Sequence, residues 1–169
     1  MSYYKNKIEI ITVGNGNSEY FGNFTKKENN IILKNCTGKI LNLFSGKSKI
    51  GNIRIDFEYG NCTMNVFDWL DNISEFIDYF DTIIVDAPYN KKFGNKYQKI
   101  GNTPKQFIIF ANTKQTTLLW NKIIELNPKR IILKSWNYYI PKGYILEKGY
   151  LCYAGGYRKS TLLLILHKI

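Results

Sequence analysis

Three short segments place chemically useful side chains directly after apolar runs: Asn42-Leu43-Phe44-Ser45-Gly46, Arg54-Ile55-Asp56 and Asp86-Ala87-Pro88-Tyr89. In the third, a carboxylate and its neighbouring backbone carbonyls stand beside an aromatic ring. Asp86 and the carbonyl of Ala87 or Pro88 can accept the hydrogens of an amino group, while Tyr89 can stack on a flat heterocycle. Gly46 lets a ligand lie against the backbone, and Asp56 can accept hydrogen bonds from ribose hydroxyls. These are the general elements of a nucleoside-cofactor site. Asp-Ala-Pro-Tyr also reads as an Asx-type turn with a packing tyrosine, and the four residues alone do not separate the two readings.

The flanking sequence says which elements must hold these residues. Strand-like runs stand at Ile8 to Val13, Lys39 to Phe44, Ile53 to Phe57, Thr63 to Phe67, Thr82 to Val85 and Arg130 to Lys134. Two more, Tyr150 to Ala154 and Ser160 to His167, flank Gly155-Gly156 as a closing antiparallel hairpin. Thr25 and Glu28 have the T-x-x-E spacing of a capping box, predicting a helix to about Asn35 that Gly38 stops. Leu70, Ile73, Phe76, Ile77 and Phe80 share one face of a second predicted helix, and a third runs from Thr113 to Leu126 before Pro128. Strands alternating with helices, then a hairpin, imply a mostly parallel α/β sheet with one antiparallel edge. In such a sheet, ligands bind beyond the carboxyl ends of the strands, which is where the three segments fall.

Asp86-Ala87-Pro88-Tyr89 resembles the (D/N/S)-P-P-(Y/F/W) motif of S-adenosylmethionine-dependent methyltransferases that modify exocyclic amino groups in DNA and RNA. Asn42-Leu43-Phe44-Ser45-Gly46 is similar to the same family's D-x-F-x-G cofactor motif, and the two stand in the family's order. The resemblance spans roughly residues 24 to 134. It implies a Rossmann-like methyltransferase fold: a mostly parallel seven-stranded sheet with a C-terminal antiparallel hairpin. It also implies S-adenosyl-L-methionine as cofactor, with Asn42, Phe44, Ser45 and Gly46 against it, Asp56 on its ribose, and Asn65 or Asp68 near its adenine. Asp86, Ala87, Pro88 and Tyr89 would then hold a flipped-out base, adenine N6 before cytosine N4 or guanine N2. No metal or covalent nucleophile is required.

The chain departs from the family pattern at four places. Ala87 replaces the first proline but keeps its carbonyl. Asn42 and Asn65 replace acids, keeping an acceptor oxygen and losing charge. Between Gly46 and Ile53 lie six residues, whereas a crossover with its helix wants about 10 to 12, so the first crossover helix is short or missing.

Composition bounds the partners. The 169 residues suit one domain, 1 to 169, without a separate target-recognition domain. Apolar residues at 44% against 22% charged can supply a core and exclude intrinsic disorder. The formal charge is +11, and it is segregated: residues 82 to 169 hold 15 basic and 3 acidic side chains, those before them 9 and 10. A basic half suits DNA or RNA and argues against a small-molecule methyltransferase. The polar stretch after the third segment, with Lys91, Lys92, Phe93, Lys96 and Tyr97, is the candidate substrate-binding surface. Cys36, Cys62 and Cys152 form no disulfide or zinc spacing and fit a reducing cytoplasm. No run reaches the ~20 apolar residues of a membrane span, so a soluble, intracellular protein is expected. The expected function is therefore a nucleic-acid amino-methyltransferase. The alternative is a catalytically lapsed subunit that keeps the fold and binds nucleic acid for a partner protein, which would supply target specificity.

Overall fold

The computed structural model describes residues 8–13, 24–88, 113–153 and 160–169. In chain order the elements are β1 (Ile8–Thr12), α1 (Lys26–Asn35), β2 (Ile40–Leu43), β3 (Ile53–Asp56), β4 (Cys62–Thr63) and α2 (Val66–Leu70). A 3-10 turn (Ser74–Phe76), β5 (Thr82–Val85), α3 (Thr113–Glu125), β6 (Arg130–Ser135), β7 (Tyr144–Tyr153) and β8 (Thr161–Lys168) follow. All strands among the described residues join one 8-stranded sheet in the order β1-β7-β8-β6-β5-β2-β3-β4. Every pairing is parallel except those of β8, which runs against both β6 and β7.

Strands β2, β5 and β6 are mostly apolar, with Asn42 and Lys134 as buried exceptions, because both faces of the sheet are covered. Leu41, Leu43, Ile83, Val85, Ile131 and Leu133 point to the face covered by α2 and α3. The alternate residues Ile84 and Ile132 point to the other face, where they meet Ile32 of α1 and Phe24 just before it. Side chains on a strand alternate, so Asn42, Lys134 and, one step past β5, Asp86 belong to the α1 face. The capping box expected at Thr25 is formed: Glu28 N–H donates to Thr25 Oγ1 at 3.3 Å and Thr25 N–H to Glu28 Oε2 at 2.7 Å.

Several expectations need correction. The sheet has eight strands, not seven, because β1 adds a parallel edge to the 10-residue β7. The antiparallel strand is not an edge either, since β8 lies between β6 and β7. β7 also starts earlier than expected, at Tyr144, with a bulge between Leu146 and Lys148 that hides its alternation. The run Thr63 to Phe67 is mostly not a strand: β4 ends at Thr63, and Asn65 Oδ1 accepts the Phe67 N–H at 2.8 Å, which starts α2. The helix expected through Phe80 stops at Leu70. Ring packing of Phe76 against Trp69 at 5.2 Å and Phe80 at 5.8 Å replaces it, and Ile77 is exposed. The crossover from β2 to β3 contains no helix, as its length requires.

Candidate functional site

The carboxyl end of β2 lies between those of β5 and β3, because Leu43 pairs with both Val85 and Ile55. Just beyond it the chain turns through two left-handed residues, Phe44 at φ 59° and Gly46 at φ 50°. A non-glycine residue in that region is strained by about 1–3 kcal/mol, so the surrounding bonds must hold it there. Ser45 N–H donates to Ile55 O at 3.0 Å, and Gly46 N–H donates to Asp56 Oδ2 at 2.9 Å. Asp56 Oδ1 accepts from the N–H groups of Glu58 at 3.0 Å and Tyr59 at 3.1 Å. The Asp56 carboxylate therefore ties the ends of β2 and β3 together. A carboxylate offers about four acceptor sites, so these three bonds leave room for a ligand hydroxyl.

Asn42 is fully buried, and its amide faces the short crossover: Nδ2 donates to Ile50 O at 2.9 Å and to Ser48 Oγ at 3.4 Å. Its Oδ1 and the Oγ of Ser45 are buried without a hydrogen-bond partner among the described residues. Two such polar atoms within the five residues from Asn42 to Gly46 are unusual for a folded protein, where such groups are nearly always paired. Asn65 is buried as the N-cap of α2, whereas Asp68 is exposed on that helix.

Asp86 follows β5 directly. Since Val85 pairs with Leu133, the next residues of the two strands, Asp86 and Lys134, fall side by side. Lys134 Nζ lies 4.0 Å from Asp86 Oδ2 and 3.2 Å from Glu28 Oε1, and the three side chains are 9%, 11% and 2% exposed. The ring of Phe24 lies 5.0 Å from the same ammonium. Burial works against the charge on Lys134, but Asp86 and Glu28 outweigh it and hold the ammonium above the usual lysine value. Lys134 is thus a fixed cation and not a proton acceptor at neutral pH. Ala87 is buried and Pro88 half-buried, so the turn is held by packing as well as by charge.

The structure thus brings together Asn42, Phe44, Ser45, Gly46, Asp56, Asp86, Ala87 and Pro88 at the ends of three adjacent parallel strands. Asn65 and Asp68 sit on α2, which packs beside β3. Tyr89, Lys91, Lys92, Phe93, Lys96 and Tyr97 lie outside the described residues. Sequence reading missed Lys134 and the second role of Glu28. A lysine directly after the apolar run Ile131 to Leu133 of a buried strand was the available signal, because a buried ammonium needs an anionic partner. Comparison with protein-family models, with curated proteins and with solved structures finds no match.

Proposed function

We propose that this chain is an S-adenosylmethionine-dependent methyltransferase acting on an exocyclic amino group of a nucleic-acid base, adenine N6 foremost. The observation that carries the reading is the convergence of Gly46, Asp56 and Asp86 at the point where the sheet changes direction. From β2 the chain proceeds outward through β3 and β4 on one side, then returns to lay β5 and β6 on the other. The order β4-β3-β2-β5-β6 corresponds to the 3-2-1-4-5 part of a doubly wound sheet, which supports the Rossmann-like reading, with a ligand crevice between β2 and β5.

The residues present fit the proposed methyl donor. Asn42 Oδ1 and Ser45 Oγ, without a hydrogen-bond partner among the described residues, leave polar capacity near the end of β2, and the acceptor capacity left on Asp56 suits a ribose hydroxyl. When bound, S-adenosylmethionine supplies a sulfonium methyl: the amino nitrogen forms the new N–C bond, the C–S pair returns to sulfur, and the nitrogen sheds one proton. Asp86 and the carbonyl of Ala87 or Pro88 accept the two amino hydrogens, which turns the nitrogen lone pair toward the methyl, and the proton lost is released to water. Tyr89 stacks on the base. The net +12 of residues 82 to 169 (15 − 3) suits a polyanionic substrate.

Labelled S-adenosylmethionine incubated with separate pools of DNA, rRNA and tRNA, followed by nucleoside mass analysis, tests the proposal. N6-methylated adenine nucleoside in one pool is the expected product. Binding of nucleic acid without transfer to any pool would instead favour the lapsed-subunit reading.

A further inference from the structure

The buried charges on the α1 face go beyond what an amino-methyltransferase turn requires. Glu28, Lys134 and Asp86 come from a helix, a strand and the turn after another strand, and none is more than 11% exposed on its side chain. Burying three charges is expensive, and apolar residues of the same shape would be at least as stable, so stability alone does not account for the cluster. The geometry is also directional. Glu28 uses one oxygen on Lys134 and the other on the Thr25 N–H of its capping box, so the start of α1 anchors the ammonium. That ammonium in turn stands beside Oδ2 of Asp86.

We propose that Lys134, anchored by Glu28, is a positioning residue that fixes the orientation of the Asp86 carboxylate for the target amino group. The inference rests on the methyltransferase reading for its catalytic part, while the linkage Glu28–Lys134–Asp86 can be measured without any activity. A carboxylate hinged at the end of a short strand has two rotatable bonds, and a fixed cation 4.0 Å from one of its oxygens favours the settings that keep that oxygen near it. The capping box of α1 then acts on the turn through a single lysine. The effect belongs to the chemical step: the cofactor is held by Phe44 to Gly46 and Asp56 at the ends of β2 and β3, whereas Lys134 stands on β6, across β5 from them.

The test combines kinetics with a thermal double-mutant cycle on the full chain. Lys134→Met keeps the apolar stem and removes the charge. It is expected to lower kcat about ten- to a hundredfold, as for a misplaced reacting group, with the calorimetric Kd for S-adenosylmethionine changed less than about twofold. Glu28→Gln should lower kcat in the same direction by less. An unchanged kcat in Lys134→Met, or a loss of cofactor affinity as large as the loss of kcat, overturns the positioning role; should that variant not fold, the same criterion applies to Glu28→Gln. In the cycle, Glu28→Gln and Asp86→Asn each leave the ammonium one carboxylate, and together they leave none. Their combined drop in Tm is expected to exceed the sum of the single drops, and the excess should vanish or reverse in a Lys134→Met background. Additive drops overturn the linkage. If the wild-type chain transfers no methyl group while the excess is present, the linkage stands and the enzyme reading fails.

Discussion

At the scale of single residues, Asp86 is the side chain on which the proposed chemistry turns. It occupies the first position after a fully buried strand, is 11% exposed, and shares a buried cation with Glu28. Its expected role is to align an amino group during transfer, not to hold the cofactor. Asp86→Ala should therefore bind S-adenosylmethionine with nearly wild-type affinity by calorimetry while turnover falls by about two orders of magnitude or more. Wild-type turnover in that variant, with the correct nucleoside product, would move the active site away from this turn. Asp56 behaves differently, because its carboxylate already accepts three backbone N–H groups from two loops. Its replacement by Ala disturbs local structure along with any ribose contact, so Asp56→Asn is the more informative change.

At the scale of elements, the helix-free crossover explains a departure from the family pattern. A loop of this length cannot satisfy its backbone with a helical ladder, and side-chain amides do so instead. Asn52 Oδ1 accepts the Ile40 N–H at 2.8 Å, Asn61 Nδ2 donates to Asn52 O at 2.9 Å, and Asn42 Nδ2 donates to Ile50 O. An aspartate at 42 has no hydrogen to give Ile50 O when ionised and would bury a second acceptor against it. Asn42→Asp should thus destabilise the fold by about 1–3 kcal/mol in a denaturant titration, the range for an unsatisfied buried group. A neutral or stabilising outcome would mean that the loop does not depend on this amide. The same logic accounts for the failed helix from Leu70 to Phe80: its apolar spacing is real, but Trp69, Phe76 and Phe80 reach one another through a turn.

For the whole molecule, two properties follow from charge and burial. Nucleic-acid affinity carried by the basic half should weaken steeply with salt, and replacing Lys91, Lys92 and Lys96 by Ala should flatten the logarithmic slope by about one unit for each phosphate no longer neutralised. An unchanged slope would place the binding surface elsewhere. The second property is alkaline sensitivity. Burial pushes the Cys152 thiol up to about 12, helped by Glu28, the Cys36 thiol up to about 11, and the Tyr144 hydroxyl up to about 12. Each folded value lies above its ordinary one, 9.0 for the thiols and 10.0 for the phenol, so the folded chain keeps protons that the unfolded chain releases. That contribution is fully present below about pH 9 and is lost as pH rises through the folded values. Thermal melts from pH 8 to 12 should show Tm declining from about pH 9, with a shallower decline in Cys152→Ala. An equal decline in that variant would assign the loss to other groups.

The sequence by itself determined part of each strand and the start of α1, but not the start of β7 or the bounds of α2. Apolar runs bounded by Gly, Asn and Asp located part of every strand, and Thr25 with Glu28 announced α1, because caps and alternation are local properties read over a few residues. It also brought Gly46, Asp56 and Asp86 to strand ends. Tertiary structure alone decided the pairing order: β8 slots between β6 and β7, and β1 joins β7 across most of the chain length. It decided likewise that Lys134 meets both Glu28 and Asp86, since nothing at those separations in sequence marks them as neighbours. No helix among the described residues is long and apolar enough to cross a membrane. The physical reason for the division is range. Hydrogen-bonded caps and side-chain alternation act within a turn or a strand, whereas a buried ammonium finds its carboxylates only after the sheet has closed around it.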